Sequence, residues 1–118
     1  MNYQIQERDG LLLMRISGDT RNNEALRAKR SFLPYLGKKG VRVVIDLEEV
    51  GSFEPVVLLG VLNSIRKEVG VLRGDLTLRS LKPELLSYLK ANRLDRIFRL
   101  YEHGEESAGR RSGSYEEG

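Results

Sequence analysis

Hydroxyl and carboxyl side chains come together at one junction of this chain, where a β-branched run ends and an apolar helical segment begins. The run at residues 41–47 contains Asp46, and Ser52 and Glu54 follow in a short loop before Pro55. Ser52 could accept a phosphoryl group, or it could be an ordinary cap or turn residue. Glu54 could supply a standing negative charge or cap the next helix. We expect a site here because α/β proteins place functional side chains in loops at strand ends.

The other reactive residues form no pattern typical of catalysis. Cysteine is absent, which excludes thiolate nucleophiles, disulfides and cysteine metal ligands. His103 is the only histidine, and no partner for metal binding or acid–base chemistry lies near it in the sequence. The glycines at 70 and 74 follow a helical segment instead of preceding one, unlike a phosphate-binding loop. We therefore predict no enzyme activity, no metal and no cofactor.

The composition predicts one domain followed by a tail. The chain has 118 residues, and residues 1–102 carry 18 basic and 13 acidic side chains. Residues 103–118 are mostly Gly, Ser, Glu and Arg, so we expect a domain over 1–102 and a flexible, disordered tail over 103–118. The N-terminal residues lack the pattern of a signal peptide, and no window is apolar enough to cross a bilayer. We expect a cytoplasmic protein without direct membrane insertion.

The first half of the chain reads as a hairpin, a helix and a strand. Asp9 and Gly10 separate two apolar stretches, which is typical of a type I′ hairpin whose second strand lies inside the sheet. Asn22 or Asn23 is expected to cap the first helix, and Pro34 is expected to kink its last turn. The predicted apolar side of that helix comprises Ala25, Leu26, the stem of Lys29, Phe32, Leu33 and Leu36.

The second half alternates helix and strand. A second helix opening at Pro55 has apolar residues at spacings of three and four, namely Leu58, Val61, Leu62, Ile65 and Val69. A loop at 70–74, a fourth strand at 75–79 and a third helix from Pro83 to about Asn92 follow. Residues 94–101 read as a short helical turn and a last strand. The pattern predicts an α/β fold of order ββαβαβαβ, a mostly parallel sheet of four or five strands with helices packed against it.

Four short motifs in this order resemble the STAS domain, the fold shared by anti-sigma factor antagonists and the cytoplasmic tails of sulphate transporters. Residues 16–19 (ISGD) are similar to the family's Gly-Glu-Leu-Asp turn, and residues 43–50 (VVIDLEEV) to its strand ending in Asp-Leu-Ser-x-Val. Residues 59–62 (LGVL) resemble its Leu-Gly-Val-Leu helix, and residues 94–98 (LDRIF) its closing motif. The resemblance covers about residues 3–102 and implies a non-catalytic protein-binding module.

The chain departs from the family where switchable antagonists carry Asp-Ser-Ser-Gly, whose first serine is phosphorylated by a partner kinase. Aligning on Asp46 places that serine at Pro55, and aligning on Leu59 places it at Val56. Neither side chain has a hydroxyl, so the family's phospho-switch is predicted to be missing. A phosphate would add about −1.5 to −2 charges.

The resemblance also implies where a partner would bind. The expected contacts lie on the turn before the first helix and on the second-helix junction, and they comprise Asp19, Thr20, Ser52, Phe53, Glu54, Pro55, Val56 and Leu59. Phe53, Val56 and Leu59 could equally belong to the core, and loop polarity alone would explain Asp19 and Thr20. The implied partner is an anti-sigma factor, which is a serine kinase, or another STAS-type regulatory protein, and a homodimer is left open.

Two other functions remain as alternatives at this point. The module could be a STAS subunit of a membrane lipid or anion transporter. The basic balance of residues 1–102 could instead serve nucleic-acid binding, although the basic residues are scattered and many fall near predicted helix ends. We do not expect nucleic acid as a partner.

Overall fold

A mixed sheet organises the fold. The structure, a computed structural model, describes residues 1–96 and 98–102. The described strands pair in the order of the chain, with β1 antiparallel to β2 and all later pairs parallel. The strands are β1 (Asn2–Arg8), β2 (Leu11–Ser17), β3 (Arg42–Asp46), β4 (Asp75–Leu81) and β5 (Arg99–Glu102). The predicted α/β order ββαβαβαβ is confirmed, while the predicted tail at 103–118 and His103 lie outside the described residues.

The hairpin forms as its turn residues predict. Asp9 and Gly10 both have positive φ, at 52° and 79°, as a type I′ turn requires. The strand that follows, β2, lies between β1 and β3, which confirms its predicted interior position. Its side chains alternate between fully buried and half-buried, so one face of the sheet carries the core.

Three helices connect the parallel strands. They are α1 (Glu24–Phe32), α2 (Pro55–Val71) and α3 (Pro83–Ala91), with 3-10 turns at Leu33–Tyr35 and Leu94–Arg96. Because each helix follows the end of one strand and leads to the start of a parallel one, all three begin at the C-terminal edge of the sheet. They end at the opposite, N-terminal edge. The loops before the helices therefore gather at one end of the molecule.

The core lies between the sheet and the helices. The predicted stripe of α2 is confirmed, since Leu58, Val61, Leu62, Ile65 and Val69 are all buried. Further core side chains come from β2, β3, β4 and α3, and include Leu12, Met14, Ile16, Ile45, Leu78, Leu85 and Leu89. Buried apolar area of this kind is the main stabilising contribution to a small domain.

The predicted inner face of α1 is wrong in part. Leu26 and Leu33 are exposed, whereas Glu24 and Ala28 are buried together with Phe32. The buried residues are spaced four apart, so α1 meets its neighbours along a narrow stripe. Glu24 is buried because charged and polar partners surround it, a cause that apolar periodicity does not record.

The helix ends also differ from expectation. Pro34 does not kink α1, because α1 ends at Phe32 and Pro34 lies in the 3-10 turn, where its missing N–H costs no helical hydrogen bond. Asn23 occupies the N-cap position of α1, but its side chain makes no capping hydrogen bond and its φ is 61°. The second helix continues to Val71, so the loop predicted at 70–74 is shorter.

Candidate functional site

Two loops pair side by side at the C-terminal edge of the sheet. The loop after β2 and the loop after β3 continue the parallel pairing of those strands, with a single bridge between Gly18 and Val50. Gly18 N–H donates to the Glu49 carbonyl at 3.1 Å, and Gly51 N–H donates to the Gly18 carbonyl at 2.9 Å. These hydrogen bonds hold the predicted junction against the turn before α1. The structure therefore brings two of the predicted regions together.

Asp19 and Thr20 fasten the second loop with their side chains as well as their backbone. The Asp19 Oδ1 accepts a hydrogen bond from Ser52 N–H at 2.8 Å, and Thr20 N–H donates to the Ser52 carbonyl at 3.1 Å. Thr20 Oγ1 accepts a weaker bond from Glu54 N–H at 3.3 Å. Asp19 and Thr20 therefore have a structural role that loop polarity alone does not explain. Their partners lie more than 30 positions away in the chain, so a local sequence pattern does not reveal these contacts.

Gly51 lies at a close approach between the two loops. A Cβ atom at this position would overlap the Asp19 carboxylate. The absence of a side chain therefore allows Asp19 to reach the Ser52 amide. Close backbone approach is one of the standard reasons for a glycine in a loop.

Neither polar residue of the junction caps α2 with its side chain. Glu54 occupies the N-cap position, but it makes no side-chain capping hydrogen bond, so the expected cap is wrong. The first helical residue is Pro55, which has no N–H to satisfy and has its φ preset for the helix. Ser52 is exposed and uses its backbone in the turn, which leaves its hydroxyl as the one phosphorylatable group of the loop.

The three apolar residues of the junction differ in burial. Phe53 and Leu59 are half-buried and pack against the core, so they are neither wholly core nor wholly surface. Val56 is 74% exposed in the first turn of α2. Large apolar side chains that stand in solvent are common at protein-binding surfaces. The junction thus exposes the apolar side chain of Val56, while the neighbouring Phe53 and Leu59 pack against the core.

A shallow groove of about 710 Å³ runs between this loop and α3. It is lined on one side by Gly51, Ser52, Phe53 and Pro55, and on the other by Glu84, Ser87, Tyr88 and Ala91. The groove extends the predicted site toward a helix that the sequence did not associate with it. Its open shape suits contact with a protein surface.

Asp46, at the end of β3, holds the start of the loop with its side chain. Its carboxylate is buried, and Oδ1 accepts a hydrogen bond from Glu48 N–H at 2.9 Å. The other oxygen lies 3.5 Å from an Arg15 nitrogen and 3.4 Å from an Arg79 nitrogen. These arginines stand in register with Asp46 on the two neighbouring strands. The strand end that the family motif highlights is therefore a structural anchor for the start of the loop.

Glu24 forms a second polar cluster behind the turn, and sequence reasoning missed it. The buried carboxylate lies 2.7 Å from the Met1 ammonium nitrogen, and it accepts hydrogen bonds from the Tyr3 hydroxyl at 2.5 Å and from Arg21 N–H at 2.6 Å. Burial would raise the pKa of Glu24, but these donors together lower it below its usual value. Burial and the adjacent Glu24 raise the pKa of Tyr3.

Within residues 1–96 and 98–102, no three His, Asp or Glu side chains are placed to hold a metal ion. In the same part of the chain no helix is both long and apolar enough to cross a membrane. The site consists of a braced loop, an exposed valine and a groove.

Solved structures of anti-sigma factor antagonists share this fold with the chain. The anti-sigma factor antagonist from Mycobacterium paratuberculosis superposes with a TM-score of 0.66 at 20% identity, over 85% of this chain and 84% of that one. The STAS domain protein from Planctomyces limnophilus, an anti-sigma-factor antagonist, gives 0.67 at 17% identity, over 89% and 93%. The anti-sigma factor antagonist SpoIIAA, in its unphosphorylated form, gives 0.58 at 12% identity, over 91% and 94%.

The sequence itself matches a family model. The model for the STAS domain covers residues 2–107, which includes every strand and helix described above. The match confirms the resemblance that the four short motifs indicated. The chain belongs to the STAS domain family.

Proposed function

We propose that this STAS domain is a non-catalytic binding module that engages a regulatory protein through residues 48–56 and the start of α2. The partner is an anti-sigma factor with serine kinase activity, or another STAS-type regulatory protein. The observation that carries the proposal is the exposed Val56 on a loop held by Asp19 and Thr20. A loop held in one conformation loses little entropy on binding, which favours affinity.

The proposed interaction is constitutive with respect to serine phosphorylation. Pro55 and Val56 occupy the positions that align with the family's phosphoacceptor, and neither has a hydroxyl. Ser52 is close to the Asp19 carboxylate, since the Ser52 backbone bonds to it. A phosphate on Ser52 would stand near that negative charge, and like charges at short range repel. We therefore infer that Ser52 is a turn residue and not a replacement switch.

The charge of the C-terminal edge complements a basic partner surface. Five exposed acidic residues lie in the loops and first helical turns at this edge, against three basic ones. The exposed acidic residues are Asp19, Glu48, Glu49, Glu54 and Glu84, and the basic ones are Arg21, Arg27 and Lys82. Charge complementarity accelerates encounter and selects among partners more than it adds affinity.

The proposal places the protein in the cytoplasm, where sigma-factor regulators act.

A pair of matched valine variants tests the proposal. Val56 and Val71 are exposed residues of α2 at opposite ends of the helix, so Val56→Asp and Val71→Asp make the same change at similar exposure. We expect Val56→Asp to weaken binding of the anti-sigma factor from the same cell by at least tenfold in calorimetry. The reason is that a charge in a desolvated interface centre is costly.

The Val71→Asp variant is the control for that experiment. Val71→Asp is expected to bind the anti-sigma factor as the unchanged chain does. Thermal unfolding of both variants checks that each is folded. Equal affinity of the folded Val56→Asp variant and the unchanged chain would contradict the proposed docking site.

A further inference from the structure

Residues 48–56 are called here the docking loop, and an unusual charge pattern leads to the opposite edge of the molecule. Residues 25–45 contain six basic side chains and no acidic one. This stretch runs through most of α1, the 3-10 turn, the following loop and into β3. The basic residues are Arg27, Lys29, Arg30, Lys38, Lys39 and Arg42. Arg27 lies in the first turn of α1 beside Glu24, whereas the other five lie in the last turn of α1, in the following loop and at the start of β3.

The ends of α1 and α2 meet at this edge. Gly40 N–H, after the 3-10 turn, donates to the carbonyl of Leu72 at the end of α2 at 2.7 Å. The loop that carries Lys38 and Lys39 therefore lies beside the loop that carries Arg73. All three basic side chains belong to exposed residues. In the part of the chain that the structure describes, none has a carboxylate within 4.0 Å, unlike Lys29, which pairs with Glu68 at 3.3 Å.

Exposed apolar side chains accompany these charges. Five large apolar side chains stand exposed among the described residues, and three of them belong to these helix ends: Leu33, Tyr35 and Val71. Leu33 and Tyr35 form the 3-10 turn after α1, and Val71 is the last residue of α2 and 79% exposed. Apolar residues beside unpaired cations are typical of surfaces that lie on a lipid bilayer.

We propose that this edge docks reversibly on an anionic phospholipid bilayer. The docking surface, called here the basic edge, comprises Leu33, Tyr35, Lys38, Lys39, Val71 and Arg73. Its cations attract the negative surface of anionic lipid, and its apolar side chains reach the boundary between headgroups and acyl chains. Tyr35 has the mixed polar and apolar character that tyrosine shows at membrane interfaces. The attachment is peripheral, and no helix of the described residues spans a bilayer.

The apolar members favour lipid over nucleic acid as the occupant. A phosphodiester backbone would use Lys38, Lys39 and Arg73 but would gain nothing from Leu33 or Val71. Stacking on bases would use Tyr35 and Arg73 and would still leave Leu33 and Val71 without a contact. A bilayer uses both kinds of side chain.

The position of the basic edge has a consequence for the whole molecule. The helices begin at the C-terminal edge and end at the basic edge, so the docking loop and the proposed membrane contact face in opposite directions. A bilayer-bound molecule would keep Val56 accessible to a protein partner. The two interactions can therefore be tested separately.

Vesicle binding of the full chain tests the proposal. At low ionic strength we expect sedimentation with vesicles of equimolar phosphatidylcholine and phosphatidylglycerol, and none with pure phosphatidylcholine. The double variant Lys38→Glu with Lys39→Glu should weaken binding by about thirtyfold or more, because each lysine near an anionic surface contributes roughly fivefold. Tyr35→Ser with Val71→Ser should weaken it severalfold at unchanged charge.

The matched control reverses two charges at the other edge. Arg21→Glu with Lys82→Glu changes the net charge as much as the lysine pair does, and it should leave vesicle binding within about twofold of the unchanged chain. Thermal unfolding shows whether each variant is folded. Equal loss in both charge variants would mean that only net charge matters, and it would overturn the assignment to the basic edge.

Three other results would also overturn the proposal. They are no binding to the mixed vesicles at low salt, equal binding to pure phosphatidylcholine, and unchanged binding in the apolar double variant. Binding of a single-stranded oligonucleotide that depends on Lys38 and Lys39 but not on Val71, without vesicle binding, would assign the edge to nucleic acid. Val56→Asp should leave vesicle binding unchanged, so failure of the protein-docking proposal is distinguishable from failure of this one.

Discussion

Glu24 is a charged residue in a fully buried position. A carboxylate is rarely fully buried unless it is paired, and Glu24 is paired with the Met1 ammonium and with hydrogen-bond donors from Tyr3 and Arg21. These contacts tie the start of β1 to the start of α1. The turn that carries Asp19 lies between those elements, since Met1 also donates to the Asp19 carbonyl at 2.8 Å.

We predict that Glu24→Gln lowers the free energy of unfolding by about 3 kcal/mol at neutral pH, because it removes one member of a buried ion pair. The folded pKa of Glu24 is lowered, so its contribution is complete above the unfolded pKa of about 4.3 and is lost as pH falls through the folded pKa. Urea unfolding at pH 7 and at pH 3 measures both parts.

Glu7→Gln is the control for that prediction, because Glu7 is an exposed glutamate of β1. We expect it to change the free energy of unfolding by less than about 0.5 kcal/mol. A stability gap between the Glu24→Gln variant and the unchanged chain that does not narrow toward pH 3 would contradict the role of the ionised carboxylate.

Val56 is one of the two residues, with Pro55, that align with the phosphoacceptor of switchable antagonists. Because the residue is exposed in the first turn of α2, Val56→Ser would place a hydroxyl where a helix N-terminus favours a phosphate. We predict that a cognate serine kinase phosphorylates the Val56→Ser variant and that its affinity for the kinase then falls at least tenfold. Intact-mass measurement and calorimetry follow the two steps, with Val71→Ser as the unmodified control.

The elements of the chain could be predicted to different degrees. The hairpin, α2 and the start of α3 follow from local signals, namely Asp9 with Gly10, an apolar stripe and Pro83 at the first helical position. The inner face of α1 could not be predicted, because the burial of Glu24 depends on partners more than 20 positions away. Local periodicity contains no record of such pairs.

The candidate site, too, could be predicted only in part. The location of the proposed docking loop was predicted from the strand-to-helix junction and from the resemblance to the STAS family. The family model confirms the resemblance, and the docking role stays a proposal. The hydrogen bonds from Asp19 and Thr20 to that loop, and the groove against α3, depend on how separate elements meet. The difference in exposure between Val56 and the half-buried Phe53 could also be learned only from the fold.

The pairing of the two loops leads to a prediction about Gly51. In Gly51→Ala the new methyl group would displace the Asp19 carboxylate, and the hydrogen bond to Ser52 N–H would be lost. We expect the free energy of unfolding to fall by about 1 kcal/mol. Amide exchange at Ser52 should become faster in hydrogen-exchange mass spectrometry.

Gly37→Ala provides a matched control, since Gly37 has open space around its Cβ position and an ordinary φ. We expect it to be neutral or to stabilise by up to about 1 kcal/mol, because alanine restricts the unfolded chain. If Gly51→Ala behaved like Gly37→Ala in both measurements, the proposed contact between Asp19 and the loop would be wrong.

The whole molecule is polarised from one end to the other. The acidic edge, which carries the proposed docking loop, and the basic edge are separated by the length of the helices. The charge distribution therefore has a direction that the net charge of +3 does not reveal. This arrangement follows from the parallel sheet, which places every helix start at one edge and every helix end at the other. Basic residues at helix ends are also favoured by the helix dipole.

The most direct test of the central claim uses the unchanged chain, the anti-sigma factor kinase of the same cell and ATP. Calorimetry before and after incubation, with intact-mass measurement of the chain, reports affinity and modification together. We predict binding in which Kd stays the same within about twofold and no phosphate is added between residues 48 and 60. A phosphate on Ser52, or a large loss of affinity after incubation with ATP, would contradict the claim that this STAS domain binds without a serine switch.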